Sequence, residues 1–174
     1  MKRTKDSSEV LIIAEIGINH NGDIDIAKKL INSAIFAGCD VVKFQKRIPE
    51  LCVPEEYKDG KRETPWGAMS YLEYRKRVEF GEKEYDEIDA YCRNKDISWL
   101  ASAWDVESQL FLRRYNCEYN KIASAMLTHK KLVESVADEG KHTFISTGMS
   151  TMKEIEKVVE IFSKLECPFE LMHC

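Results

Sequence analysis

The 174-residue sequence predicts an α/β fold on parallel strands, and three observations carry that prediction. Six short apolar runs recur along the chain, at residues 11–18, 40–46, 99–104, 120–124, 142–147 and 169–174. They are nearly continuous in apolar character rather than alternating, as strands buried on both faces of a parallel sheet are. Helical periodicities separate them, which is the strand–helix alternation of α/β proteins. Five of the six runs also carry polar or charged residues that an ordinary core strand avoids. Polar groups converging at the ends of successive strands describe a barrel-type active site. The alternation alone fits a barrel and a doubly wound sheet equally.

Each element has its own justification. The first run carries Glu15, and Ile26, Ala27, Leu30, Ile31 and Ala34 then recur at helical spacing until Gly38 stops the helix. The second run carries Lys43 and Gln45. Residues 47–80 break the rhythm, because this connection far exceeds the roughly 2–6 residues of a usual strand-to-helix loop. It contains Pro49, Pro54, Pro65, Gly60 and Gly67, and a helix is expected at 66–78. A long ordered excursion at a strand's C-terminal end reads as an active-site cover or as a surface insertion for packing or oligomer contacts. Its aromatic residues argue against simple disorder.

Tyr85, Ile88, Tyr91 and Cys92 mark a second helix leading to the third run, which carries Ser102 and ends at Trp104. Leu110, Phe111 and Arg114 belong to a third helix, for which Asp105 reads as the N-cap. The fourth run carries Lys121 and Ser124. Leu132, Val133 and Val136 define a fourth helix closed by Gly140, and the fifth run carries Ser146. Met152, Ile155, Val158, Val159 and Phe162 form a fifth helix, with Thr151 and Glu154 spaced as a capping box. The sixth run reaches the last residue, Cys174.

Composition narrows the function classes. With 44% hydrophobic and 32% charged residues, the chain reads as one soluble globular domain. A net charge of −4 gives no polyanion-binding footprint, so no nucleic-acid partner is expected. No stretch approaches the ~20 apolar residues of a membrane span. The basic start, residues 1–8, lacks the apolar segment of a signal peptide. Six cysteines without a CxxC pair suggest reduced thiols in the cytoplasm, and they argue against a zinc site.

Lys43 and Lys121 lie inside apolar strands, where an unpaired ammonium is costly. Two such lysines on one cavity imply a strongly anionic ligand, such as a phosphate ester or phospho-enol acid. The alternatives are structural ion pairs with Glu15 or another carboxylate, and a Schiff-base lysine. Ser146-Thr147-Gly148-Met149-Ser150 lies between a strand and a helix start and offers an anion seat of N–H groups and hydroxyls. Ser124 is either a phosphate donor or a plain strand-end hydroxyl. Glu15 is flanked by apolar residues, so it is paired and ionised or protonated. Among the histidines, His20 reads as a loop-shaping residue, His129 and His142 as surface residues at element starts, and His173 as structural. No pair has metal-ligand spacing.

Together these residues resemble a family. Ile13-Ala-Glu-Ile-Gly-Ile-Asn-His-Asn-Gly22, Val42-Lys-Phe-Gln45, Lys121-Ile-Ala-Ser124 and Ile145-Ser-Thr-Gly-Met149 closely resemble the sialic acid (N-acetylneuraminate) synthases. Leu171-Met-His-Cys174 resembles the start of their sixth-strand signature. The resemblance implies a TIM-type (β/α)8 barrel, here truncated after about six strands. Residues 1–174 would form an incomplete catalytic barrel with 47–80 as its insertion, and the family's C-terminal antifreeze-like domain would be absent. The implied reaction condenses phosphoenolpyruvate with an N-acylated hexosamine to give a nonulosonic acid and phosphate. It needs a divalent metal, Mn2+ or Mg2+, whose ligands in the complete enzyme lie outside this chain, and the full-length parent would be a homodimer.

Carried over residue by residue, Lys43, Lys121, Ser124 and Ser146 match positions that hold the phosphate and carboxylate of phosphoenolpyruvate. Glu15 matches a sugar-side carboxylate and Gln45 a neighbouring polar position. Glu15, Lys43 and Lys121 are the catalytic candidates, and Gln45, Ser102, Trp104, Ser124 and Ser146 the substrate-binding ones. Ser102 and Trp104 fall where the family commonly has Thr and Phe before an Asp, here Asp105. Met126 stands where many synthases place a Glu, which puts strict N-acetylneuraminate activity in question. The acceptor is N-acetylmannosamine, its 6-phosphate or a diacetamido-trideoxy hexose. Two other functional readings stand beside the synthase, a non-catalytic phospho-ligand-binding or interaction fragment and a Schiff-base aldolase.

Overall fold

The structure is a computed structural model and describes residues 10–174; the basic segment 1–8, expected above not to be a signal peptide, lies outside the described residues. The elements run β1 (Ile13–Gly17), α1 (Ile24–Phe36), β2 (Val41–Lys46), α2 (Pro49–Cys52), α3 (Glu55–Lys58), β3 (Lys61–Thr64), β4 (Gly67–Ser70) and α4 (Tyr71–Val78). They continue with α5 (Glu82–Asn94), β5 (Ser98–Ala103), α6 (Val106–Leu112), β6 (Asn120–Ile122), α7 (Lys130–Ala137), β7 (Thr143–Ser146), α8 (Met152–Lys164) and β8 (Phe169–Met172).

Six strands form one curled sheet in the order β1-β2-β5-β6-β7-β8, and every pair in it is parallel. Spatial order follows chain order without a reversal. A doubly wound sheet reverses at a switch point, so the winding is that of a barrel wall. Crossovers that wind in a constant direction put the helices α1, α5, α6, α7 and α8 on one face. The core lies between that face and the helices. Val42 and Phe44, Trp99, Ala101 and Ala103, Ile122 and Ile145 point into it, where Ile31, Ile88, Leu132, Val133 and Phe162 meet them. Side chains alternate across a strand, so Glu15, Lys43, Gln45, Ser102, Lys121 and Ser146 must point to the other face. That alternation positions the site. No helix among the described residues is long and apolar enough to cross a membrane.

The expected elements are present with two corrections. The helix read at 66–78 begins only at Tyr71, because residues 67–70 pair antiparallel with Lys61–Thr64 as a hairpin. Gly67 takes a left-handed φ of +95°, and the Thr64 hydroxyl donates to its carbonyl at 2.7 Å, which closes the turn. Ser70 then caps α4 through a capping box with Glu73. The third helix stops at Leu112, so Arg114 falls in a short 3-10 turn that ends where Asn116 turns left-handed at φ +48°. Asp105 does cap α6, accepting from Ser108 N–H at 2.6 Å, and it also accepts from Ile48 N–H at 2.7 Å across the insertion.

His20 fastens the exit of β1 to the end of the insertion. It is buried, stacks on Phe80 at 3.8 Å between ring centroids, and its Nδ1 accepts from Gly22 N–H at 3.1 Å. Gly22 has no substitute there, since a Cβ would stand 2.2 Å from the Arg77 carbonyl oxygen. Burial pulls the His20 pKa down from 6.5 to about 4, so the folded chain keeps the ring neutral while the unfolded chain protonates it. Stability is therefore expected to fall as pH drops from about 6.5 to about 4, by about 3 kcal/mol in total. Denaturant midpoints across that range would show it, and His20→Phe should flatten the dependence.

Candidate active site

The inner face of the sheet gathers the polar strand residues into one set, made of two hydrogen-bonded groups that the strand register holds side by side. Lys43 of β2 forms an ion pair with Glu15 of β1 at 2.6 Å and donates to the Ser102 hydroxyl of β5 at 3.0 Å. Lys121 of β6 donates to the Ser146 hydroxyl of β7 and to the Ile122 carbonyl at 2.6 Å. Both lysines are buried. Glu15 and Lys43 are paired in the parallel register, as are Ser102 and Lys121, so the set follows from strand alignment.

The two lysines differ in their electrostatics. Lys43 has its carboxylate. Among the described residues Lys121 forms no ion pair, and burial followed by the charge of Lys43 pulls its pKa down to about 8. An anion beside both ammonium groups would relieve that cost. Next to them, the Ser124 hydroxyl accepts from Gly148 N–H at 3.1 Å, so the β6 and β7 ends share one seat. The donors of this seat reach a neighbouring thiol. Hydrogen bonds from Ser146, then from Ser124 and the N–H groups of Gly148 and Thr147, hold the Cys174 thiol below its ordinary pKa despite opposing desolvation. Gly148 keeps the seat open, because a Cβ would stand 3.1 Å from the Ser124 oxygen.

Gln45 joins the set by donating to Glu15 Oε1 at 3.3 Å. Trp104 stands to one side. It lies under the Arg47 guanidinium and lines, with Leu51, Asp105 and Met126, a neighbouring cleft of about 700 Å3. Seven of the eight sequence-derived candidates thus form one set, and Trp104 touches it through Arg47. His129 caps α7 by accepting from Leu132 N–H at 3.2 Å, and His142 faces Glu170 at 3.3 Å, so neither approaches the lysines.

Among the described residues no group of three or more His, Cys, Asp or Glu side chains is arranged to hold a metal ion. The Lys43 ammonium stands 2.6 Å from the Glu15 carboxylate and so disfavours a second cation there. These residues do not make a site for the divalent metal that the resemblance implies.

A parallel barrel wall that collects polar side chains at the ends of its strands is the architecture of the barrel enzymes. The chain belongs to the NeuB family, whose profile matches residues 30–174. It is 35% identical over 171 residues to N-acetylneuraminate-9-phosphate synthase of Drosophila melanogaster, covering 95% of this chain and 45% of that protein. It is 32% identical over 171 residues to N,N'-diacetyllegionaminic acid synthase of Campylobacter jejuni, covering 95% and 51%. The crystal structure of N-acetylneuraminic acid (sialic acid) synthetase from Leptospira borgpetersenii, in complex with citrate, superposes with a TM-score of 0.85 at 33% identity, covering 96% of this chain and 54% of that one. The chain spans about half the length of the curated relatives it matches. These relatives make nonulosonic acids, and the family is one of sialic-type acid synthases.

Sequence reasoning missed Arg47, Glu79 and Gly17. Arg47 looked like the first residue of a loop, yet it is buried over Trp104 at 4.2 Å from the ring centre. Glu79 sits at the far end of the insertion and receives Lys46 at 3.3 Å and the Arg47 backbone N–H at 3.0 Å. A charged residue directly after a strand that ends in polar residues was the available signal.

Proposed function

We propose that this chain supplies the phosphoenolpyruvate cradle of a synthase that condenses phosphoenolpyruvate with an N-acylated hexosamine, giving a nonulosonic acid and phosphate. The convergence of Lys43 and Lys121 on one face, with Ser102 and Ser146 at their ammonium groups, is the observation that carries the reading. Lys43, Lys121, Ser124 and Ser146 hold the phosphate and carboxylate, while Glu15 and Gln45 face the sugar. C3 of phosphoenolpyruvate attacks the aldehyde carbon of the open-chain sugar and forms the new C–C bond. Water adds at C2, and the tetrahedral intermediate expels phosphate. Preorganised ammonium groups stabilise the anionic charge throughout, an electrostatic role.

The full-length gene product, incubated with Mn2+ or Mg2+, phosphoenolpyruvate and a panel of N-acetylmannosamine, its 6-phosphate and a diacetamido-trideoxy hexose, should release phosphate with at least one sugar. Release that ignores the sugar, or none with any, would sink the reading. A second reading has one observation behind it. A lysine with its pKa near 8, as Lys121 has, is suited to Schiff-base chemistry. Borohydride should trap no carbonyl substrate on Lys121 or Lys43 under the synthase reading, and trapping would favour the aldolase.

A further inference from the structure

We infer that Arg47 is a positioning residue that fixes which end of the Gln45 amide meets Glu15, and so sets the hydrogen-bonding polarity of the acceptor side of the site. The inference rests on the function proposed above.

The argument starts from donor inventories. A guanidinium can only donate hydrogen bonds and an ionised carboxylate can only accept them. The amide of Gln45 lies between one of each. Arg47 Nη2 donates to Gln45 Oε1, and Gln45 Nε2 donates to Glu15 Oε1 at 3.3 Å. The two ends of an amide are nearly identical in shape, so neighbours decide its orientation. Turning Gln45 over would set its N–H groups against the guanidinium and its oxygen against the carboxylate. Both contacts would become repulsive, so the observed orientation is enforced from two sides.

Arg47 is itself held rigidly. It is buried, its guanidinium lies 4.2 Å over the Trp104 ring, and its backbone N–H donates to Glu79 Oε1 at 3.0 Å. Its Nε lies 3.5 Å from Glu79 Oε2, a charge contact that opposes rotation of the side chain. A planar group stacked on an aromatic face holds one orientation in a way a lysine cannot. At the other end of the relay, Lys43 fixes Glu15 through Oε2 at 2.6 Å. The backbone leaves room for the contact between them. The β1–β2 register shifts between Glu15 and Gly17, and Gly17 takes a left-handed φ of +58°. A Cβ on Gly17 would stand 2.9 Å from Glu15 Oε1 and 3.2 Å from Gln45 Nε2.

The outcome is a carboxylate and an amide N–H side by side, one accepting and one donating. That pair complements a sugar that offers a hydroxyl or amide N–H next to a carbonyl or hydroxyl oxygen, as an N-acylated hexosamine does. Arg47 touches neither substrate in this scheme and acts through Gln45.

Steady-state kinetics of the full-length gene product test the relay. Arg47→Met should raise KM for the acceptor sugar about tenfold or more, as loss of a charge-assisted hydrogen bond predicts, and leave KM for phosphoenolpyruvate within about twofold. Because Arg47 works through Gln45, Arg47→Met combined with Gln45→Ala should be no worse than the more damaging single variant. Additive losses, or equal rises in both KM values, would overturn the inference. If Arg47→Met does not fold, Gln45→Glu serves instead. It keeps a partner for Arg47 but sets an acceptor against Glu15, so it should damage sugar use more than Gln45→Ala, and an equal effect overturns the relay. If the wild-type protein shows no sugar-dependent phosphate release, the proposed function fails and the relay is judged separately by NMR. The Gln45 side-chain amide protons should exchange slowly in wild type and lose that protection in Arg47→Met or Arg47→Lys; unchanged exchange overturns it.

Discussion

Replacing Lys121 by methionine is expected to lower sugar-dependent phosphate release by about two to three orders of magnitude, the scale of removing one preorganised donor from a site of developing charge. Methionine keeps the length and apolar stem of the side chain, so the strand packing survives while the ammonium is lost. The charge matters because Lys121 lacks a carboxylate partner among the described residues and is shared between the Ser146 hydroxyl and the Ile122 carbonyl. Its pKa near 8, set by burial and then by Lys43, supplies a second test. Without ligand the ammonium loses its proton as pH rises through about 8, so affinity for phosphoenolpyruvate should fall above that point. A bound anion holds the proton on. Phosphoenolpyruvate affinity measured from pH 7 to 9.5 should therefore decline in wild type and stay flat in Lys121→Met. A flat wild-type profile would show that Lys121 does not meet the anion.

Tyr85→Ala should be among the most damaging changes to the fold, costing about 3–5 kcal/mol on the scale of large-to-small aromatic truncations. Tyr85 is fully buried and packs edge-on against Phe80 and Phe111, with Trp99 and Tyr115 tilted beside it. Its hydroxyl donates to the Gln45 carbonyl at 2.8 Å, so α5 is pinned to the strand that presents Lys43 and Gln45. Tyr85→Phe removes that bond and keeps the ring, and should cost only about 1 kcal/mol. Chemical denaturation of both variants separates the two contributions. Equal losses would mean that the hydroxyl, rather than the aromatic cluster, anchors the helix.

The parts of this fold that were legible in the sequence are those fixed by burial. A strand covered on both faces must be apolar almost throughout, so Val41–Phe44 and Leu100–Ala103 announced themselves, and Lys43 and Ser102 stood out against them. The hairpin was illegible for the opposite reason. Lys61-Arg-Glu-Thr64 is largely exposed, so nothing in its composition required a strand. The start of α4 was readable in principle from the Ser70 and Glu73 spacing, which a wider helical reading of 66–78 swallowed. Within the site, residues that are polar inside apolar runs were found. Arg47 and Glu79 were not, because their significance depends on the insertion folding back so that positions distant in sequence come to share a hydrogen bond.

The matching of spatial order to chain order has a consequence for how the protein acquires its structure. Apart from the β3–β4 hairpin, each strand pairs with the one preceding it in the sheet and offers its free side to the next. Every long-range pairing therefore closes over a single crossover, which keeps contact order low for a parallel sheet. A chain leaving the ribosome can lay down each strand–helix unit on an edge that is already waiting, without holding a partner open for a distant segment. The 47–80 insertion is the exception and the slow step, because β2 must wait for that whole excursion to emerge before β5 can join it. Ribosome-stalled chains of increasing length should gain protease resistance stepwise, with the widest gap across the insertion.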